Sequence, residues 1–132
     1  VCLKKVKQTG LNMSGHGFKV LSARQDGGLN PWVYNPSDAS AHGRDSEPVE
    51  FGVRFTAVES TIHAEDTKPY TSGFHIFMNE QDAVNWTNTY HGVAVRVEFY
   101  EGHTIGEELR GGKPIKTIIA RYMTLIERVG SE

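Results

Sequence analysis

The sequence predicts an α+β fold: a twisted, mainly antiparallel sheet of about five or six strands with one principal helix and a long irregular loop in the N-terminal half. Three observations carry this. Apolar residues alternate with polar ones in several short segments, most clearly over 93–100. One segment of helical period begins at Glu80 behind a capping residue. Turn formers crowd the chain between Arg24 and Pro48, which excludes a long helix there.

Residues 2–8 alternate weakly and are read as an edge strand. Gly15-His16-Gly17-Phe18-Lys19-Val20-Leu21 reads as a strand introduced by glycines, and Trp32-Val33-Tyr34 as a short strand inside the Arg24–Pro48 loop. In residues 50–56, Phe51, Val53 and Phe55 alternate with Glu50, Gly52 and Arg54, the pattern of a half-buried strand; a further loop is expected up to Ser72.

Gly73 to Met78 places Phe74, Ile76 and Met78 on one face and His75 with Phe77 on the other. The Asn79 side chain is placed to accept from the Asp82 backbone N–H, and Glu80 and Asp82 put negative charge at the positive end of the helix. The helix is expected to run to about Tyr90, with Ala83, Trp86 and Tyr90 inward and Gly92 as its stop. Residues 92–100 form a strand burying Val93, Val95, Val97 and Phe99, and turns are expected from Glu101 to Pro114. Lys116 to Arg128 is apolar on both faces and rich in β-branched residues, so a covered central strand is favoured over a helix.

At 132 residues the chain fits one domain, with a loop-rich half over 1–72 and a regular β-α-β-β half over 73–129. A net charge of −2 offers no broad attraction to nucleic acid or anionic lipid. The single cysteine, Cys2, closes no disulfide within the chain, and no neighbouring histidine activates it as a nucleophile. That lone cysteine favours a reducing, cytoplasmic setting; no apolar run reaches the roughly 18 residues of a membrane span, and Val1–Lys5 lack a signal peptide's apolar core.

Four motifs in the second half, Gly73-Phe74-His75-Ile76-Phe77, Asp82-Ala83, Val93-Ala94-Val95-Arg96-Val97-Glu98 and Ala120-Arg121-Tyr122-Met123-Thr124-Leu125-Ile126, resemble a family of uncharacterised small domains from bacterial and bacteriophage genomes. That resemblance implies a fold and an accessory role more than an activity. A second resemblance, at the level of scaffold, is to the C-terminal half of ADP-ribosyltransferases. It implies NAD as cofactor, with His16-Gly17 and His75 at the first two NAD-binding positions and a glutamate late in the chain. The late strand departs from that pattern, carrying Arg121-Tyr122; the nearest acids are Glu98, Glu101, Glu107 and Glu127.

The candidate site residues follow. His75 stands opposite an apolar row, and its imidazole suits ligand binding or proton transfer, against the alternative of a structural histidine bonded to a loop carbonyl. Arg121 shares a side with Ile119 and Met123, so it needs an anion or an acid; Glu98 is the expected structural partner. Trp32 and Tyr34 are candidate stacking surfaces for a ligand, with Tyr70 a further one, whereas Trp86 is expected in the core. Gly15-His16-Gly17 reads as a tight turn as readily as a phosphate approach, and Ser60-Thr61 near Arg54 as coincidence. Histidines 16, 42, 63, 75, 91 and 103 show no metal-ligand spacing, and Glu107-Glu108 beside Arg110 and Lys113 reads as a solvated loop.

These residues support three functions. The first is an accessory domain binding a ligand or protein partner in a cleft between the Arg24–Pro48 loop and the His75 strand. The second is an NAD-dependent transferase using His16, His75 and a glutamate among Glu98, Glu101 and Glu107. The third is a purely structural interaction module.

Overall fold

Two strands, one of them nearly twice the expected length, organise the chain. The structure is a computed structural model that describes residues 3–21, 50–57, 59, 61–90, 92–110 and 112–129. Its elements are β1 (Lys5–Gln8), β2 (Met13–Leu21), β3 (Arg54–Thr56), β4 (Thr61–His63), β5 (Pro69–Thr71), β6 (Phe74–Phe77), the helix α1 (Glu80–Tyr90), β7 (Val93–Arg110) and β8 (Lys113–Arg128). β7 and β8 pair antiparallel from Val95 opposite Arg128 to Arg110 opposite Lys113. The turns expected between Glu101 and Pro114 are thus corrected to strand. The reversal falls only between Arg110 and Lys113, where Gly112 has φ 80°.

The main sheet has the order β1-β7-β2-β6-β8-β3, and the added β7–β8 pairing completes a circuit through β2, β7, β8 and β6. A sheet paired in a circuit closes on itself, so one face becomes an interior. Alternation then decides what fills it: Phe74 and Ile76 from β6, Val95, Val97 and Phe99 from β7, and Ile118 from β8 are all buried there. Each such side chain contributes about 1.5–3 kcal/mol relative to exposure. The seam between β2 and β6 is narrow, with Phe18 opposite Phe77. Gly17 permits that approach, since a Cβ there would collide with the Ile76 side chain and lie 2.9 Å from the Phe77 carbonyl. Where the two strands diverge, buried Lys19 donates from Nζ to the His75 carbonyl at 3.0 Å.

Two structures cover the outer face. α1 begins as expected, with Asn79 Oδ1 accepting from the backbone N–H of Gln81 at 2.8 Å and of Asp82 at 3.4 Å. Its Ala83 and Trp86 pack over Val20, Phe77, Ala94 and Ile115, with the Phe77 and Trp86 rings 5.2 Å apart. The second cover is a correction: the loop expected up to Ser72 contains a β4–β5 hairpin with Ile62 opposite Tyr70. It packs Ala64 and Tyr70 over Leu3, Val6 and Ile119. Tyr70 Oη accepts from Leu3 N–H at 3.0 Å, and Glu65 N–H donates to the Leu3 carbonyl at 2.9 Å.

The strand expected over 50–56 is shorter. Gly52, at φ 80°, turns the chain, so strand pairing covers only Arg54–Thr56, and Phe51 and Val53 are 42% and 45% exposed. Among the described residues the fold is therefore a mainly antiparallel sheet with a single helix, richer in strand than an evenly mixed α+β fold.

Candidate functional site

The side chain expected to open onto a cleft is covered. His75 does face away from Phe74 and Ile76, but its residue is 2% exposed because α1 and the hairpin leave no open outer surface around it. Its Nδ1 N–H donates to Glu108 Oε2 at 2.7 Å. Strand register explains the meeting. His75 pairs with Ile119, Glu108 pairs with Ile115, and the two side chains reach diagonally over Thr117 of β8, which lies between those partners. Thr117 itself stands opposite Gly106, where a Cβ would lie 2.5 Å from the Lys5 carbonyl and 2.6 Å from the Leu3 side chain, so that glycine admits β1 and Leu3 close to the sheet. Glu108, expected on a solvated loop, is 8% exposed because it points into this covered strip.

The other expected groups do not converge on His75. Trp32, Tyr34 and the rest of the Arg24–Pro48 loop lie outside the described residues. His16 lies opposite Glu98 on the outer surface, with Nε2 and Oε2 4.0 Å apart. Phe18 and Phe77 set the β2–β6 register, and the strands are antiparallel, so His16 and His75 extend from that pair in opposite directions. Four strand steps of about 3.3 Å separate their positions along the seam. Glu98 hydrogen-bonds Tyr100 and, with burial and its charge, raises that phenol above its ordinary pKa. The Arg54 guanidinium lies over the rings of Tyr100 and Tyr122, 4.6 and 4.8 Å from their centroids.

Arg121 corrects another expectation. It is exposed and pairs with Glu59 (Nε to Oε1, 3.8 Å) and Glu101 (Nη1 to Oε1, 3.5 Å) instead of Glu98. Arg121 keeps the outer face of Ile119, opposite inward Ala120; it is Met123 that leaves this face, because β8 changes phase between Ala120 and Met123. Glu101 sits opposite this step, in the left-handed region at φ 52°, and the β7 register shifts between Gly102 and Thr104.

That bend frames a cleft of about 520 Å³. One wall is the β4–β5 hairpin, where Thr61 and Thr71 are direct cross-strand partners beside Pro69 and Tyr70. Thr9 and Gly10, in the β1–β2 turn, form the second wall, and the Leu11 N–H donates to the His103 carbonyl at 3.1 Å. His103 and Thr104 of β7 form the third, with Glu59 from the β3–β4 connection. The His103 Nδ1 and Thr104 Oγ1 atoms are 2.8 Å apart, which fixes the ring. Its Nε2 lies 3.5 Å from Glu59 Oε2 and is buried without a hydrogen-bond partner among the described residues. Burial lowers the imidazole's pKa below its ordinary value, against the opposing charges of Glu59 and Glu101.

The cleft thus joins a carboxylate, an imidazole held in its neutral form and several hydroxyls, a set suited to neutral polar groups. Of the residues singled out from the sequence, Arg121 reaches the cleft only through its pairing with Glu59, and Tyr70, expected as a stacking surface, is 3% exposed and packed in the core. Glu59, His103, Thr61, Thr71 and Thr104 were missed. The available signal was Gly102, a glycine inside an alternating segment, which marks a bulge or close approach once the segment is seen as strand.

Among the described residues no group of three or more His, Cys, Asp or Glu side chains is arranged to hold a metal ion, and no helix is long and apolar enough to cross a membrane. No family model, curated protein or solved structure matches the chain.

Proposed function

We propose that the domain binds a small polar ligand in the cleft bounded by the β4–β5 hairpin, the β1–β2 turn and the bend of β7. The observation that carries this reading is the His103 imidazole, whose buried Nε2 lacks a hydrogen-bond partner among the described residues and stands 3.5 Å from Glu59. Leaving such a nitrogen unsatisfied costs about 1–3 kcal/mol, which a ligand atom bridging Nε2 and the carboxylate recovers. The left-handed backbone of Glu101 adds support, because strain in a non-glycine residue clusters at ligand sites. The accessory binding role expected around His75 thereby moves to His103.

The test is NMR observation of the histidine ring resonances during screening with a library of small polar fragments. Binding should shift the His103 ring and neighbouring amides of Thr61, Thr71 and Thr104, and His103→Ala should remove it without lowering the melting temperature by more than a few degrees. Fragments that bind with the His103 resonances unmoved, and equally well to His103→Ala, would sink the reading.

A further inference from the structure

Resting on the cleft as a ligand site, we infer that the ligand it takes is a neutral vicinal diol, the unit presented by a saccharide. Among the described residues that line the cleft there is no lysine or arginine. Arg121 stands behind Glu59, 3.8 Å from Oε1, and is shared with Glu101, so this guanidinium is already engaged by two acids. A phosphate or carboxylate ligand would therefore meet the Glu59 charge with no cation among the described lining residues to answer it. His103, held neutral by burial, does not supply that cation.

A diol fits the same groups. Adjacent hydroxyls donate to a carboxylate in a paired geometry, and such charge-assisted bonds are stronger than neutral ones. Glu59 offers that carboxylate at the cleft wall. The remaining hydroxyls of a sugar both donate and accept, as do those of Thr61 and Thr71, which sit directly across the hairpin from one another. Pro69 adds an apolar edge against which a sugar's C–H groups rest. An organic cation would also be drawn to Glu59, but it offers only donors, and the His103 Nε2 and the threonine hydroxyls call for both kinds of partner.

The experiment is calorimetric titration of the full chain with glucose, galactose, mannose and ribose, with their methyl glycosides, with inorganic phosphate and with ethanolamine. The His103 ring is followed by NMR in parallel. At least one saccharide should bind and move the His103 ring, while phosphate and ethanolamine should not. Glu59→Gln, which keeps shape and removes charge, should weaken binding about tenfold, the worth of one charge-assisted hydrogen bond. Thr61→Val with Thr71→Val, on the exposed hairpin, tests the same point should Glu59→Gln fail to fold. Binding of free sugars and glycosides alike assigns the diol to the ring body, and binding of glycosides alone assigns it to a substituted chain end; both support a saccharide. Phosphate or ethanolamine moving the His103 ring where no saccharide does would overturn the diol and leave the ligand site standing. Should no probe move the ring, both fall.

Discussion

The Nδ1 N–H of His75 donates to Glu108 Oε2 at 2.7 Å across a strand to which neither residue belongs. Bridging β6 and β7 over Thr117, the pair joins the strip covered by α1 to the strip covered by the β4–β5 hairpin. Both side chains are nearly sealed from solvent, at 2% and 9% exposure, so neither partner can be rehydrated cheaply when the other is removed.

Replacing one partner should therefore cost far more than replacing both. His75→Ala or Glu108→Ala is expected to lower unfolding stability by about 3–5 kcal/mol, as for other broken buried pairs. The double variant His75→Phe/Glu108→Leu should lose less than either single one. Urea unfolding midpoints decide this, and a double variant as unstable as the sum of the singles would contradict a coupled pair.

Acidification should act through His103. Its native imidazole resists protonation because burial lowers its pKa beneath the ordinary 6.5, while the unfolded chain titrates at that ordinary value. As pH falls from above 6.5 toward the folded value, the unfolded state takes up a proton that the native state does not, so stability drops across that window and levels off below it. His103→Gln should flatten this slope in thermal melts over the same range. A ring titrating at or above 6.5 by NMR would refute the assignment.

Asp66 adds a loss in the same direction at lower pH, but for the opposite reason: the fold favours its charged form. Burial works against its ionised form, but the backbone N–H groups of Lys68 and Val6, with the charges of Lys68 and Lys5, outweigh it and bring the carboxyl below its ordinary 3.8. Those N–H groups donate at 3.1 and 3.2 Å, tying the β4–β5 turn to β1. The contribution is present above pH 3.8 and is lost as pH falls through the lower folded value. Asp66→Asn should destabilise the chain at neutral pH, and the difference should shrink as acid protonates the native carboxylate. A difference unchanged by pH in paired melts would count against it.

The helix start offers a simpler expectation. Asn79 Oδ1 satisfies the N–H groups of Gln81 and Asp82, so Asn79→Ala should cost about 1 kcal/mol and Asn79→Asp little or nothing. Equal loss in both variants, read from urea midpoints, would mean that the cap hydrogen bonds do not matter.

Local residue pattern by itself determined the secondary structure wherever one period dominates a segment: the capped helix from Glu80, the alternating Val95, Val97 and Phe99, and the two-faced apolar strand through Ile118 and Ile119. These depend on neighbours within a few positions, which the sequence displays. It also supplied Glu101 and Arg121 as candidate residues. Tertiary structure alone decided that the strands close into a circuit, that Glu101 to Arg110 continues β7, and that His75 is sealed while His103 borders a cleft. The physical reason is register: in a closed sheet, which residues meet is set by pairing between strands far apart in the chain, and a single shift, such as that between Gly102 and Thr104, redirects every side chain beyond it.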